Sequence, residues 1–522
     1  MNTQTSRRPK SGQTLRTRFG VRIRGRTVEN RAESRTGWRW PSGPANASLI
    51  ALFAGLLVLQ LPLSMWHDEA FTYINWINGW APGDLLGPYH SNNHRLFTLL
   101  AVAAGRLGGH SDMVLRLPSV IPAVLGLAVT AHAAQRHSIF RHPSLPVAMF
   151  ASSPIVLYWA SQARGYGLVL LAASLLASGA LSAHFLGINR SAVVQISAAA
   201  VIGVWTLPHF LLLWALTAAV LVVQQRKRIR TERLLLVAPI AAAVVLFAYL
   251  PTISSLLARI RSSGPARNPS LSASDALWGH FRFLVIGTLD GAGAISPGQG
   301  SVRVVVGVLA TIYAIALLSL LLRDRGLLVL LVAPGHGFFI VAWVLGWQFT
   351  DRNLLFLLPS FVLTFGLCNL SGLSLSSRRA REARGAIQGV ERAIAAAVVA
   401  LIVILPMHAA IVAIGWSQRP IEAFKDAAAI VESSQATTVV TDSLRAPGIQ
   451  RYLPQVVRAR DEAQARELAC ETEAPFAFIN HNYRRAWSAP TDCLAERGGV
   501  AFNLEQRRRG SIQVWIVPES GG

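Results

Sequence analysis

The sequence predicts an α-helical polytopic membrane protein of about eleven transmembrane helices, followed by a small C-terminal α/β domain. Three observations predict it. The chain has 522 residues, 52% of them hydrophobic and only 14% charged, where an ordinary soluble domain is roughly 25% charged. Apolar runs close to the roughly 20 residues that cross a bilayer recur along the chain, as at Ala47–Leu63 and Leu327–Leu345. From Ile421 the pattern changes from long apolar runs to short amphipathic and alternating ones.

Residues 1–46 are rich in Arg, Ser, Thr and Gly and have no apolar periodicity, so a disordered basic arm is expected. Its cationic residues, from Arg7 to Arg39, all precede the first apolar run. The bias of Lys and Arg toward the cytoplasm therefore places the N-terminus inside. The basic stretch is far too long for the n-region of a signal peptide. The net charge of +23 does not point to nucleic acid, because the basic residues fall between apolar runs. A nucleic-acid module would gather them on one face with stacking aromatics.

A transmembrane domain is expected over 47–416, with spans near 47–63, 118–135, 145–161, 166–186, 191–206, 208–223, 234–251, 301–322, 326–346, 353–371 and 393–414. The segment Leu96–Gly109 is left out of this count. It is short and carries Arg106, and apolar runs of roughly 10–14 residues more often lie at the interface than cross it. With the N-terminus inside, the linkers at 136–141, at Arg190, at "QQRKRIRTER", at 323–325 and at "RRAREAR" are cytoplasmic, and each carries Arg or Lys. Counting Leu96–Gly109 as a span would place the same clusters outside, against the positive-inside rule. Residues 64–117 then form a long external loop of surface helices.

The region 417–522 is expected to be a soluble extracytoplasmic α/β domain. "IEAFKDAAAIVESS" and "DEAQARELACE" read as helices, and "TTVVTD", "FAFINHN", "GVAFNL" and "SIQVWIV" as strands. No G-x-G-x-x-G or Walker-type loop suggests a nucleotide. Cys470 and Cys493 fall here, and an oxidising compartment would allow them to pair. Spacing alone leaves the disulfide open, and two isolated cysteines supply no zinc cluster.

The candidate chemistry lies in polar clusters on the predicted outer side. "SMWHDEAFTYINW" puts Asp68 and Glu69 just after the first span, preceded by His67. "YHSNNHRLFTLL" supplies Asn93 and His94 before the surface helix, where Ser and Asn also serve as simple caps. "YWASQARGYGL" places Arg164 and Tyr166 on a short outer turn. An arginine there either snorkels to headgroups or offers its planar fork to a phosphate. His209, in "WTLPHFLLLW", and Arg352, in "WQFTDRNLLFLLPSF", complete the set, with Asp351 as a surface partner for Arg352. Acids near a membrane become functional candidates when they have partners facing them. A cavity built from these groups suits a substrate with a lipid tail in the bilayer and a phosphate at the interface.

"WHDEAFTYINW", "NNHRLFTLLAVAAGRLGGHSDMVLRLPSVIPAVLG" and "YWASQARGYGL" resemble, in order and spacing, the membrane-embedded glycosyltransferases of the C superfold. The likeness is greatest to the branch with protein O-mannosyltransferases, the lipid A aminoarabinose transferase and rhizobial lipopolysaccharide sugar transferases. It covers roughly residues 45–370. It implies transfer of a sugar, such as mannose or another hexose or pentose, from a polyprenyl-phosphate donor to a cell-envelope glycan, lipid or protein of a bacterium.

On that resemblance Asp68 and Glu69 match the acidic motif of the first external loop. Asp68 is the expected general base and Glu69 orients it or the acceptor. His94 matches a histidine that the family usually follows with Pro; here Arg95 follows. Asn93, His94, Arg164, Tyr166, His209 and Arg352 are the expected substrate-binding residues, Arg164 and Arg352 stabilising the departing phosphate. A divalent cation held by Asp68, Glu69 and His94 is a further expectation. Single displacement would invert the anomeric centre. Two other classes compete. A transporter or flippase of lipid-linked intermediates needs charges near the midplane and internal repeats, and a non-catalytic scaffold would keep the fold without binding a donor.

Overall fold

A computed structural model describes residues 43–229 (apart from 86, 88, 89, 91 and 138), 243, 249–255, 300–344, 355–368, 379–417, 423–441, 446–481, 490–504 and 512–519. The span expected at 234–251, the turn with Asp351 and Arg352, and the basic arm to residue 42 lie largely or wholly outside these residues.

The chain is a membrane-embedded polytopic helical protein. Its transmembrane part begins with α1 (Pro44–Val58), with Pro44 at the first helical position, where its missing N–H costs nothing. The segment that follows carries α2 (His67–Thr72), a π-helical turn Tyr73–Ile77, a 3-10 turn Pro82–Leu85 and α3 (Arg95–Gly108). The surface-helix segment expected at Leu96–Gly109 is thus α3. Its apolar side buries Phe97, Ala101 and Val102, while Leu107 on the opposite side is exposed.

Next come α4 (Asp112–Arg136), α5 (Ser144–Ala151), α6 (Pro154–Ala160), α7 (Tyr166–Leu186), α8 (Arg190–Thr206) and α9 (Phe210–Ile229). α10 (Gly300–Arg323), α11 (Arg325–Val344), α12 (Leu358–Phe365) and α13 (Arg379–Ser417) complete this part. Among the described residues, four helices are long and apolar enough by themselves to cross a membrane: Asp112–Arg136, Tyr166–Leu186, Val304–Arg323 and Gln388–Ser417.

Three expected boundaries shift. α4 begins at Asp112, so Arg116 and Leu117 are helical rather than part of the external loop. The expected span 145–161 is two helices, α5 and α6, divided at Ser152 and Ser153 where Pro154 cannot continue the preceding turn. Among the described residues of the segment expected at 353–371, the α-helix is the short α12.

The helices meet through small residues, as membrane interfaces favour. At the crossing of α4 and α7, Thr130 Oγ1 lies 3.1 Å from Ser174 Oγ. A Cβ added at Gly167 would fall 1.8 Å from the Ser119 carbonyl oxygen, so only glycine permits this approach. Gln60, just beyond α1, donates to the Ala413 carbonyl of α13 at 2.8 Å, tying the first apolar segment to the last.

Residues 423–519 contain a five-stranded mixed sheet in the order β2-β1-β3-β5-β4, made of β1 (Thr438–Thr441), β2 (Val457–Arg458), β3 (Phe476–His481), β4 (Val500–Leu504) and β5 (Ile512–Val517). β1 runs parallel to β2 and β3, and β5 antiparallel to β3 and β4. α14 (Phe424–Ser433), α15 (Ala446–Gln450), α16 (Glu462–Glu471) and α17 (Thr491–Glu496) flank it. Cys470 at the end of α16 and Cys493 in α17 are disulfide-bonded, their Cα atoms 5.6 Å apart.

Candidate active site

The two acids of "WHDEAF" face different surroundings. Glu69 is 0% exposed. Its Oε1 accepts from Arg116 Nε at 3.0 Å and from the Ala163 amide, and its Oε2 accepts from Arg116 Nη2 at 2.9 Å and the Trp66 amide at 3.1 Å. Glu69 at the third position of α2 thus caps its own helix, the geometry of a capping-box glutamate. Arg116 spends its remaining donors on the carbonyls of Gln60, Leu61, Leu63 and Ser64, where the chain leaves α1. One buried ion pair therefore joins the end of the first helical segment, α2, α4 and the turn before α7.

Asp68 points the other way. Its Oδ2 accepts from Arg164 Nη1 at 2.9 Å, and its side chain is 17% exposed where that of Arg164 is 1% exposed. Arg164 Nη2 donates to Asn92 Oδ1 at 3.0 Å and lies 3.4 Å from His94 Nε2. The guanidinium carbon sits 5.2 Å from the centre of the Tyr166 ring, within reach of a cation–π contact. His94 is fixed from behind, its Nδ1 accepting from the Gly165 amide at 2.9 Å, and its ring meets Tyr166 edge to face at 5.1 Å. A side chain at 165 would strike Thr206 and His94, since its Cβ would lie 2.2 Å from Thr206 Cγ2 and 2.8 Å from His94 Nδ1.

Four of the residues singled out in the sequence are thus brought together: Asp68, His94, Arg164 and Tyr166. Asn93 is turned away, its Oδ1 accepting from Thr98 Oγ1 at 3.0 Å as a brace for the start of α3; its neighbour Asn92 holds the arginine instead. Glu69 is beside the site but enclosed. His209 packs on Phe356, ring centres 5.8 Å apart, and its Nε2 is buried without a partner among the described residues. Arg352 lies outside the described residues. α3 begins at Arg95, which stands where the resemblance leads one to expect proline, and its guanidinium donates to the Gly87 carbonyl at 3.0 Å and covers the Tyr249 ring at 4.7 Å.

The mouth is aromatic. Phe71, Trp76 and His90 form a cluster with ring centres 5.0–5.4 Å apart, and His67 joins it through Phe71 at 6.2 Å. His67, unassigned from the sequence, is thus part of this wall one residue before the acid.

Asp68, Glu69 and His94 do not fit a divalent cation. Both Glu69 oxygens are saturated by four donors, and the Arg164 guanidinium occupies the space between Asp68 and His94. Among the described residues no group of three His, Cys, Asp or Glu side chains is placed to hold a metal.

One residue that sequence reasoning missed, Arg116, organises this site. Arg116 was hidden inside an apolar helix, although a lone arginine in "VLRLPSV" signals a buried partner. Gln162 is 1% exposed, with neither amide atom partnered among the described residues.

No protein-family model matches the sequence, and no curated protein matches it significantly. Solved structures do match. ArnT from Cupriavidus metallidurans in the apo state aligns at 13% identity with a TM-score of 0.55, covering 91% of this chain and 98% of that one. The same protein bound to undecaprenyl phosphate aligns at 14% identity with a TM-score of 0.53 over the same shares. The archaeal oligosaccharyltransferase AglB from Archaeoglobus fulgidus aligns at 12% identity with a TM-score of 0.40, covering 84% of this chain and 69% of that one. The likeness to ArnT runs the length of both chains and is one of architecture: this protein has the ArnT fold.

Proposed function

We propose that this protein transfers a sugar from a polyprenyl-phosphate donor to a cell-envelope acceptor at the extracytoplasmic face of the membrane. The observation that carries this reading is the Asp68–Arg164 pair. It joins a carboxylate open to the mouth of the site to a buried guanidinium whose Nε has no partner among the described residues. A carboxylate in that position can take a proton from an acceptor hydroxyl. The guanidinium beside it can receive the negative charge that develops on a departing phosphate. The fold supports the donor class, since one ArnT structure is bound to undecaprenyl phosphate.

In this reading the lipid phosphate enters against Arg164 and takes up its Nε–H donor, with His94 and Tyr166 fixing the guanidinium plane. As the phosphate draws Arg164 toward itself, Asp68 turns its oxygen to the acceptor hydroxyl, which attacks the anomeric carbon. The bond from that carbon to the phosphate oxygen breaks, the proton passes to Asp68, and the anomeric centre inverts in a single displacement. General-base help of this kind contributes about 10²–10⁴ in rate. Glu69 acts through geometry, holding α2. His209 and Arg352 remain assigned to the substrate, and Asn92 replaces Asn93 among the groups that hold the arginine.

Orientation belongs to the same proposal. Arg-rich linkers place the N-terminus in the cytoplasm and α2, α3 and the C-terminal domain outside, and the Cys470–Cys493 disulfide suits an oxidising compartment. The domains proposed are a basic arm over 1–46, a transmembrane transferase domain over 47–416 and an extracytoplasmic domain over 417–522.

The test is reconstitution. Purified protein in liposomes is mixed with a panel of polyprenyl-phosphate-linked hexoses and pentoses and an envelope extract, and mass spectrometry follows release of polyprenyl phosphate. Donor consumption by the wild type and its loss in Asp68→Asn is the expected result. Equal turnover by both proteins, or no donor consumed by either, overturns the proposal.

A further inference from the structure

We propose that Tyr452 and Arg451 of the C-terminal domain are positioning residues for the reaction at Asp68, latching shut the external loop that carries this acid. The proposal rests on the reading of Asp68 as the reacting carboxylate.

A single hydroxyl spans the two ends of that loop. Tyr452 Oη accepts from the Met65 amide at 2.7 Å and donates to Asp112 Oδ2 at 2.6 Å. Met65 stands just before α2 and Asp112 is the first residue of α4. Arg451 binds the same carboxylate, its Nη2 and Nε lying 3.0 and 3.3 Å from Asp112 Oδ1, and donates to the His110 carbonyl. Its guanidinium carbon lies 3.9 Å from the centre of the Tyr73 ring, and Tyr73 Oη meets His110 Nδ1 at 3.2 Å. Tyr73 is the residue that ends α2. The Lys425 amide adds a bond to Ser64 Oγ at 3.2 Å, and α15 packs against α2. The latch therefore holds α2 at its start and at its end.

This matters because α2 has only six residues. Isolated helices shorter than about 12–15 residues are marginal in water, so the direction of Asp68 is set by what grips its helix. From the membrane side the grip is Glu69 on Arg116, and from the outer side it is Tyr452 and Arg451. Asp112 and Arg116 are four residues apart on α4, hence on one face, and each anchors one of the two grips. Burial, then the charge of Asp112, pushes the Tyr452 hydroxyl well above the usual tyrosine range, so it stays protonated and able to donate. A displacement of about 1 Å in a reacting group can lower a rate about 10²-fold.

Tyr452→Phe removes the hydroxyl and keeps the ring, and Asp112→Asn weakens the same latch from the other side. In the purified full-length chain, hydrogen exchange of peptides over 65–77 should rise in both variants, while peptides over Phe476–His481 stay protected. Turnover should fall by about tenfold or more, with KM for the polyprenyl-phosphate donor within about twofold of wild type. Arg451→Lys should retain more turnover than Arg451→Met, because it keeps a cation against Asp112. Unchanged exchange over 65–77, unchanged turnover, or a rise in KM equal to the fall in turnover overturns the proposal. So does loss of protection in the sheet, which would mark general unfolding. If the wild type consumes no donor, the functional reading fails, and exchange over 65–77 alone decides whether the latch exists.

Discussion

Changing each of the two adjacent acids to its amide should produce opposite defects. Glu69→Gln keeps the shape and removes the charge. Glu69 accepts four hydrogen bonds from Arg116, Trp66 and Ala163, and an amide brings an NH2 group against at least one of those donors. Arg116, with its side chain 3% exposed, loses its counter-charge where water cannot replace it. Removing one partner of such a buried pair costs about 3–5 kcal/mol, a large share of the roughly 5–15 kcal/mol that keeps a domain folded. Asp68→Asn leaves an oxygen for Arg164, at a mouth that water reaches, and Asn92 remains on the guanidinium. The expected cost in stability is about 1 kcal/mol. Its turnover should fall about 10²–10⁴-fold, or about 3–5 kcal/mol of barrier. The assays are denaturant and thermal unfolding of detergent-solubilised protein, in parallel with release of polyprenyl phosphate. A Glu69→Gln protein as stable as wild type would refute the structural role of that acid, and a fully active Asp68→Asn protein would refute the catalytic one.

Arg164→Lys places one ammonium where the guanidinium spans Asp68, Asn92 and His94, so turnover should fall by more than tenfold; measured rates at saturating donor check this. Gly165→Ala drives a methyl into Thr206 and His94 and should lower activity with little effect on expression, read by rate and by yield in detergent. Reducing the Cys470–Cys493 disulfide, which closes a separation of 23 residues, should destabilise the C-terminal domain by about 3 kcal/mol, visible as an earlier unfolding transition with reductant. Leu107, 91% exposed on α3, is the place to test orientation: Leu107→Cys in intact cells should react with a membrane-impermeant maleimide, and labelling only after lysis would reverse the topology.

How much of this was readable beforehand depends on what kind of signal each residue leaves. The long apolar helices and the amphipathic α3 were legible because burial of an apolar face writes a repeating pattern over many residues. The break at Ser152 and Ser153 was not, since both halves are equally apolar and the division only shows when Pro154 starts a new helix. Arg164 was legible as a phosphate candidate from its place in a turn, but nothing in "SNNH" distinguishes Asn92, on the arginine, from Asn93, bracing α3. Adjacency concealed the largest difference. In a helix, neighbouring residues point about 100° apart, so Asp68 and Glu69 share a motif and divide between the mouth and the interior. The latch is the least legible feature of all, because Tyr452 and Asp112 are 340 positions apart.

Among the described residues, three arginine–carboxylate pairs support the segment 64–117, and their exposure separates what they do. Arg116–Glu69, at 3% and 0%, is enclosed and saturated, and nothing is left over for a substrate. Arg451–Asp112, at 13% and 10%, has its carboxylate further engaged by Tyr452. Arg164–Asp68 couples a cation whose side chain is 1% exposed to an acid 17% exposed, and its guanidinium keeps a buried Nε with no partner among the described residues. An ion pair whose purpose is stability gains from saturation, whereas one that must exchange partners during a reaction needs an open side. Arg116–Glu69 and Arg451–Asp112 fix the short helix, and Arg164–Asp68 sits on the face it presents. A variant that saturates this third pair should therefore inhibit without unfolding: Asn92→Asp adds a second carboxylate to Arg164, and it should raise KM for the phosphate donor by about tenfold or more while the unfolding midpoint stays at or above that of wild type.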